Sequence, residues 1–159
     1  MNYRLYTFVA SLYLSPLQCG LQTAHVVGEL ATAYPSALLA KNENRKAAHA
    51  FYDWAKIDKT IIICGAGTHG GVLGCYEELK RTGTSALCLP SAIFHEDEDS
   101  MNSMATACGV VVPQKYWDVK FDVDSQCYEY IDEQLMVTKY PLTHPEGQFI
   151  QAIKSYRLA

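Results

Sequence analysis

The sequence is short of charge, and shorter still of positive charge. Its 159 residues hold 13 lysines and arginines against 17 aspartates and glutamates, for a net charge of −4 and a pI near 5.7. That balance has the wrong sign for a domain that holds nucleic acid across a broad basic face. Long hydrophobic runs are missing too. Stretches such as Thr60–Cys64 and Val110–Val112 fall far below the roughly 20 residues of a spanning helix, which argues against a membrane protein. Arg4 and the tyrosines Tyr3, Tyr6 and Tyr13 interrupt the first apolar stretch, and no small-residue cleavage site follows, so no secretory signal is expected. The six cysteines Cys19, Cys64, Cys75, Cys88, Cys108 and Cys127 include no C-x-x-C pair, and several sit in apolar runs. They read as reduced thiols of a cytoplasmic protein. What is plentiful is apolar material, at 49% of residues, enough for one domain with its own core and too much for a disordered chain.

Arg4 to Leu14, dense in Tyr, Phe, Val and Leu, reads as a first buried strand. Ser15 and Pro16 then open a helix in which Leu17, Leu21, Ala24, Val27 and Ala31 recur at helical spacing before Pro35, and Gly28 inside it marks close packing of that helix on a sheet. A polar patch at Lys41–Arg45 precedes a short amphipathic helix with Ala47, Ala48, Phe51, Trp54 and Ala55. Thr60–Cys64 reads as a second strand, Gly65–Gly71 as a turn into a helix closed by Gly83, and Ala86–Leu89 as a third strand. A helix beginning in His95–Asp99 and running through Ala107 leads to a fourth strand at Gly109–Val112. This alternation predicts a three-layer α/β fold: a mostly parallel four-stranded sheet with helices on both faces. Residues 1–117 form that core. Past Trp117, alternation at Val119, Phe121 and Val123, an antiparallel strand at Cys127–Ile131 and a helix opened by Pro145 make residues 118–159 an extension packed on it. There is no internal repeat.

Gly65-Ala66-Gly67-Thr68-His69-Gly70 is a G-x-G-x-x-G between strand and helix, where glycines and free helix amides cradle an anion. A dinucleotide site also wants an acid after the next strand, which here ends Leu89-Pro90-Ser91, and no lysine follows as in a Walker loop. The motif is then either a phosphate seat, with Gly65, Gly67, Thr68 and His69 as contacts, or a tight turn. His25, three residues after Gln22 on the first helix, either lines a cleft with it or packs on the sheet. The acidic run His95–Asp99 is either a solvated helix start or a seat for a hard metal. No H-x-x-x-H, EF-hand or G-x-S-x-G spacing occurs, so neither a metal nor a cofactor is expected.

Over about residues 4–113 the chain resembles the type II peptidyl-tRNA hydrolases, the archaeal and eukaryotic kind. The likeness is carried by the first strand leading into Leu14-Ser15-Pro16-Leu17-Gln18-Cys19-Gly20-Leu21-Gln22-Thr23-Ala24-His25, by Trp54 ahead of Thr60–Cys64, and by Thr106-Ala107-Cys108-Gly109-Val110 running to Pro113. In that family a serine-led turn, a lysine and Gln-x-x-His open the first helix; Ser15, Gln22 and His25 match, and the lysine position falls on Gln18. Thr106 sets against the family's active-site threonine. The family's aspartate after the third strand has no counterpart in Pro90-Ser91-Ala92, and Asp97 or Asp99 substitutes for it only if the acidic loop folds back.

The resemblance thus implies Gln22, His25 and Thr106 as catalytic residues, but the lysine that would meet phosphate or polarise the ester is gone. The reading that follows is a binding protein on this fold, taking a small phosphate-containing, nucleotide-like ligand or a protein partner. Two alternatives stay open: a divergent active hydrolase, and an interaction module that inhibits an enzyme with a basic site. The acidic charge disfavours tRNA. The family's habit of pairing implies a homodimer.

Overall fold

The computed structural model describes residues 2–36 and 44–159. Residues 41–43 of the expected polar patch at Lys41–Arg45 lie outside them.

Strand β1 (Tyr3–Ala10) stops four residues before the expected Leu14, because a turn closed by Tyr13 N–H on the Ala10 carbonyl (3.2 Å) ends it. Helix α1 (Pro16–Ala33) starts on a full capping box, in which the Ser15 hydroxyl accepts from Gln18 N–H and Gln18 Oε1 accepts from Ser15 N–H. Helix α2 (Asn44–Asp53) runs through a wider π-type turn (Trp54–Asp58) that Trp54 pins by donating Nε1–H to the Thr60 carbonyl (2.9 Å). Strand β2 (Ile61–Gly67) and helix α3 (His69–Leu79) follow, and a second wide turn (Lys80–Ser85) leads on. Strand β3 is Ser91–His95, not Ala86–Leu89. A four-residue helix α4 (Glu98–Met101) takes the place of the longer one expected there, and β4 (Ala105–Pro113) begins four residues before Gly109.

These shifts overturn the mostly parallel sheet. The order is β2-β1-β4-β3, with β1–β2 its one parallel pair and β4 antiparallel to both β1 and β3. The reason is length. Only the nine residues Glu96–Met104 separate β3 from β4, fewer than the dozen or so a parallel crossover needs, so the chain returns antiparallel. Beyond α5 (Gln114–Trp117), β5 (Lys120–Asp122), β6 (Cys127–Ile131) and β7 (Val137–Pro141) form a separate antiparallel sheet, and α6 (Pro145–Lys154) follows. The architecture is mixed α/β.

The four-stranded sheet buries both faces. Leu5, Val9, Ala107 and Val111 pack with Val26, Leu30, Ala48 and Phe51 of α1 and α2. Phe8, Cys108, Val110 and Val112 pack with Val72, Cys75 and Leu79 of α3 and with Tyr128, Tyr140, Phe149 and Ile150 from the later elements. Every residue of β4 is buried, as expected of an apolar run at the centre of a sheet covered on both sides.

Helix α1 turns a different face to the sheet from the one its apolar spacing implied. Its buried residues are Gln22, Thr23, Val26 and Leu30, while Leu17, Leu21, Ala24 and Ala31 are exposed. Thr23 meets Thr7 of β1 hydroxyl to hydroxyl at 3.0 Å. The close approach is provided by Gly109 of β4, where a Cβ would stand 2.8 Å from Val26 Cγ1, and not by Gly28, which has nothing within 4 Å. Among the described residues no helix is long and apolar enough to cross a membrane.

Candidate functional site

The topology gathers the ends of β1, β2 and β3, the start of β4 and the first turns of α1 and α3 at one end of the sheet. A bulge there alters one residue's aim. His95 pairs with Ala105 and Phe94 with Ala107, so Thr106 is the extra residue on β4. It turns toward α1 and donates its hydroxyl to Gln22 Oε1 at 2.7 Å, both residues being buried. Gln22 Nε2 in turn donates to Glu96 Oε1 at 2.9 Å, and the same oxygen accepts from the Tyr13 hydroxyl at 2.7 Å. A strand, a helix and two loops thus meet in one hydrogen-bonded chain, Thr106–Gln22–Glu96–Tyr13. Desolvation, and then the neighbouring Glu96 carboxylate, raise the Tyr13 phenol above its ordinary value, which keeps it a donor.

Of the residues named from sequence, Gln22 and Thr106 come together. His25 does not join them: it is exposed, one turn along α1, and stacks on Phe94 with ring centroids 4.2 Å apart. Neither Asp97 nor Asp99 reaches the cluster. Asp97 caps α4, its carboxylate accepting from Ser100 N–H at 2.7 Å, and the acid that reaches Gln22 is Glu96, the first residue after β3. Glu96 was hidden by the misplaced third strand, and Tyr13 by being read as strand interior. Gln18, at the family's lysine position, spends its side chain on the capping box of α1.

Beside this cluster lies a cleft of about 370 Å³, lined by Val9, Ala10, Ser11, Tyr13, Leu14, Pro16, Cys19, Ile63, Gly65 and Ala159. Its walls are largely apolar, and no charged side chain lines it. The tail forms one rim: Ala159 N–H donates to the Ile63 carbonyl (2.9 Å) and the Arg157 carbonyl accepts from Gly65 N–H (3.0 Å).

The glycine turn borders the cleft without filling it. Gly65 lines it, and the Gly67 carbonyl, at a residue with φ +74°, accepts from Ser11 N–H at 2.7 Å. Thr68 caps α3, its hydroxyl accepting from Gly71 N–H at 3.3 Å. His69 Nδ1 lies 3.0 Å from Ala105 N and 3.1 Å from the Ala105 carbonyl oxygen, and so pins the start of β4. Gly71 admits no side chain, since a Cβ would fall 2.0 Å from the Ala66 carbonyl oxygen. Most of the motif is therefore occupied in holding the turn together.

Charge is distributed unevenly around the sheet. From Leu5 to Ser36, from Thr60 to Leu79 and from Thr82 to Gln114 the sequence contains no lysine or arginine. Those segments carry the cleft, the cluster and the glycine turn. Arg157, on the tail beside β2, is the exception in this neighbourhood. Among the described residues no group of three or more His, Cys, Asp or Glu side chains converges as metal ligands do. In comparisons with known proteins, no family model matches the chain and no curated protein resembles it significantly.

Proposed function

We propose that the protein is a binding protein on a type II peptidyl-tRNA hydrolase-like core, and that its recognition surface is the end of the sheet holding the cleft and the Thr106–Gln22–Glu96–Tyr13 cluster. One observation carries this reading: a largely apolar cleft opens at an end where the cluster's own charge is Glu96 and where the strands and helices supply no cation. A phosphate ester needs compensating positive charge in its site. An apolar partner, neutral or cationic, needs none, so the protein-partner branch is favoured over a phosphate-containing ligand. Gln18 supports the same reading, because its amide is held in the helix cap.

A second reading has its own support. Glu96 Oε1 takes both hydrogen bonds, while Oε2 accepts none among the described residues. In a divergent hydrolase that oxygen would take a proton from water attacking an ester.

The two readings part on one assay. Purified protein at micromolar concentration is expected to release no amino acid from N-acetyl-aminoacyl-tRNA above the buffer rate. Native mass spectrometry of the protein from its own cells is expected to find it with a protein partner that Leu14→Asp removes. Release that Glu96→Gln abolishes would overturn the binding reading and install the hydrolase.

A further inference from the structure

Among the described residues, helix α1 presents to solvent an apolar face that no other part of the chain covers. Leu17 and Leu21, one turn apart on the helix, are 74% and 54% exposed, and Leu14, just ahead of its cap, is 89% exposed. Beside them Gly20, Ala24 and Gly28 recur every fourth residue, all on the outside. A Cβ on Gly20 or Gly28 would meet nothing within 4 Å. Glycine inside a helix weakens it relative to alanine; at Gly71 of α3 and Gly109 of β4 neighbouring atoms exclude a side chain, while at Gly74 of α3 nothing lies within 4 Å. At Gly20 and Gly28 the folded chain supplies no such reason. A shallow ridge of small residues flanked by leucines is the surface onto which a second helix packs at short interaxial distance.

Charge indicates which helix. Glu29 is the one charged side chain between Leu5 and Ser36. Glu96, bonded to Gln22 of this same helix, opens a run of four carboxylates through Asp99 that has no lysine or arginine within 4 Å among the described residues. The apolar stripe therefore has an acidic edge on the side of Gln22 and Glu29. A second copy of the chain fits poorly: antiparallel pairing about Ala24 would set Gly20 against Gly28 but bring each acidic turn toward the other copy's Glu29, with no cation between them.

We propose that the outer face of α1 docks an amphipathic helix of a partner protein, with leucine-sized side chains along the Gly20–Ala24–Gly28 ridge and basic residues against Glu29 and the Glu96–Asp99 turn. This rests on the reading of the molecule as a binding protein and names the partner's chemistry.

The probe is a fluorescein-labelled 18-residue peptide of leucine and lysine with leucines at helical spacing, set against a leucine–glutamate peptide of the same pattern, with affinity read by fluorescence anisotropy. The leucine–lysine peptide is expected to bind at least tenfold more tightly than the leucine–glutamate one. Leu17→Ser with Leu21→Ser is expected to weaken binding at least tenfold. Gly28→Gln fills the ridge and is expected to weaken binding about fivefold while raising the melting temperature, a pair of opposite signs that general destabilisation cannot produce. Binding that ignores the ridge and leucine substitutions, or equal binding of both peptides, would overturn the proposal. So would a concentration-dependent dimer in sedimentation that Gly28→Gln dissolves, since the occupant would then be a second copy. Absence of peptide binding together with absence of tRNA ester hydrolysis sinks the docking surface alone, whereas hydrolysis sinks the binding reading beneath it.

Discussion

At one end of the four-stranded sheet Glu96 gathers Tyr13 and Gln22 beside an apolar cleft, and the strands and helices that meet there bring no lysine or arginine. At the other end, where β1 and β2 begin and β4 finishes, Arg4 lies over the Trp117 ring at 3.5 Å, and Lys46 and Lys115 line a cavity of about 80 Å³ with Tyr3 and Cys88. Lys56 and Lys59 precede β2 on the same side. A net charge of −4 therefore conceals segregation. The glycine motif sits at the end whose strands and helices bring no cation, with Arg157 of the tail as the exception beside it. Polar side chains at the first end bond to one another; at the second, Arg4 is tied to an aromatic ring.

The comparison breaks most readily at its glycines. Gly71→Ala puts a Cβ onto the Ala66 carbonyl and is expected to destabilise the fold by about 3 kcal/mol in denaturant titration, while Gly28→Ala, which meets open space, is expected to stabilise it by up to about 1 kcal/mol. If both substitutions shift stability in the same direction, the contrast between the two helices fails. Next in size, Thr106→Val leaves buried Gln22 Oε1 without its donor and is expected to cost about 1–3 kcal/mol, against about 1 kcal/mol for Arg4→Met at the opposite end. Equal losses would remove the special standing of the cluster.

Alkaline titration tests the later elements against the core. Burial raises the Tyr140 phenol to about 12 and the Cys64 thiol to about 11. Since both folded values lie above the unfolded ones, the stability they contribute is complete below the unfolded pKa and is lost as pH climbs through the folded values. Denaturation midpoints should therefore fall between about pH 9 and 12, and Tyr140→Phe should flatten the upper part of that fall. A fall left unchanged by Tyr140→Phe would mean that this phenol is not the group responsible. The smallest effect is expected of Gln18→Lys, which adds the missing cation to the cleft end: about 1 kcal/mol lost with the capping box, and weak tRNA retardation in native gels at low salt. Retardation equal to that of the unaltered protein would show that the end is not short of cations in any way a polyanion feels.

By itself the sequence determined what local chemistry decides. Ser15 and Pro16 start α1, Thr68 caps α3 directly after β2, and Pro145 opens α6. Caps and turns depend on neighbours a few residues away, so they are legible along the chain. Gln22 and Thr106 were named through the resemblance to the type II peptidyl-tRNA hydrolases, Gln22 also by its spacing from His25 on the first helix. The direction of β4, the inward face of α1 and the arrival of Glu96 rather than Asp97 or Asp99 depended on the tertiary structure. Strand direction follows from how far the chain must travel between strands, and β3 lies five residues from where its composition placed it. The face α1 turns inward is set by Gly109 and Thr7 on strands distant in sequence, which outweigh the helix's own apolar spacing. Apolar periodicity reports that a helix has an apolar side; which side is covered is decided by what packs against it.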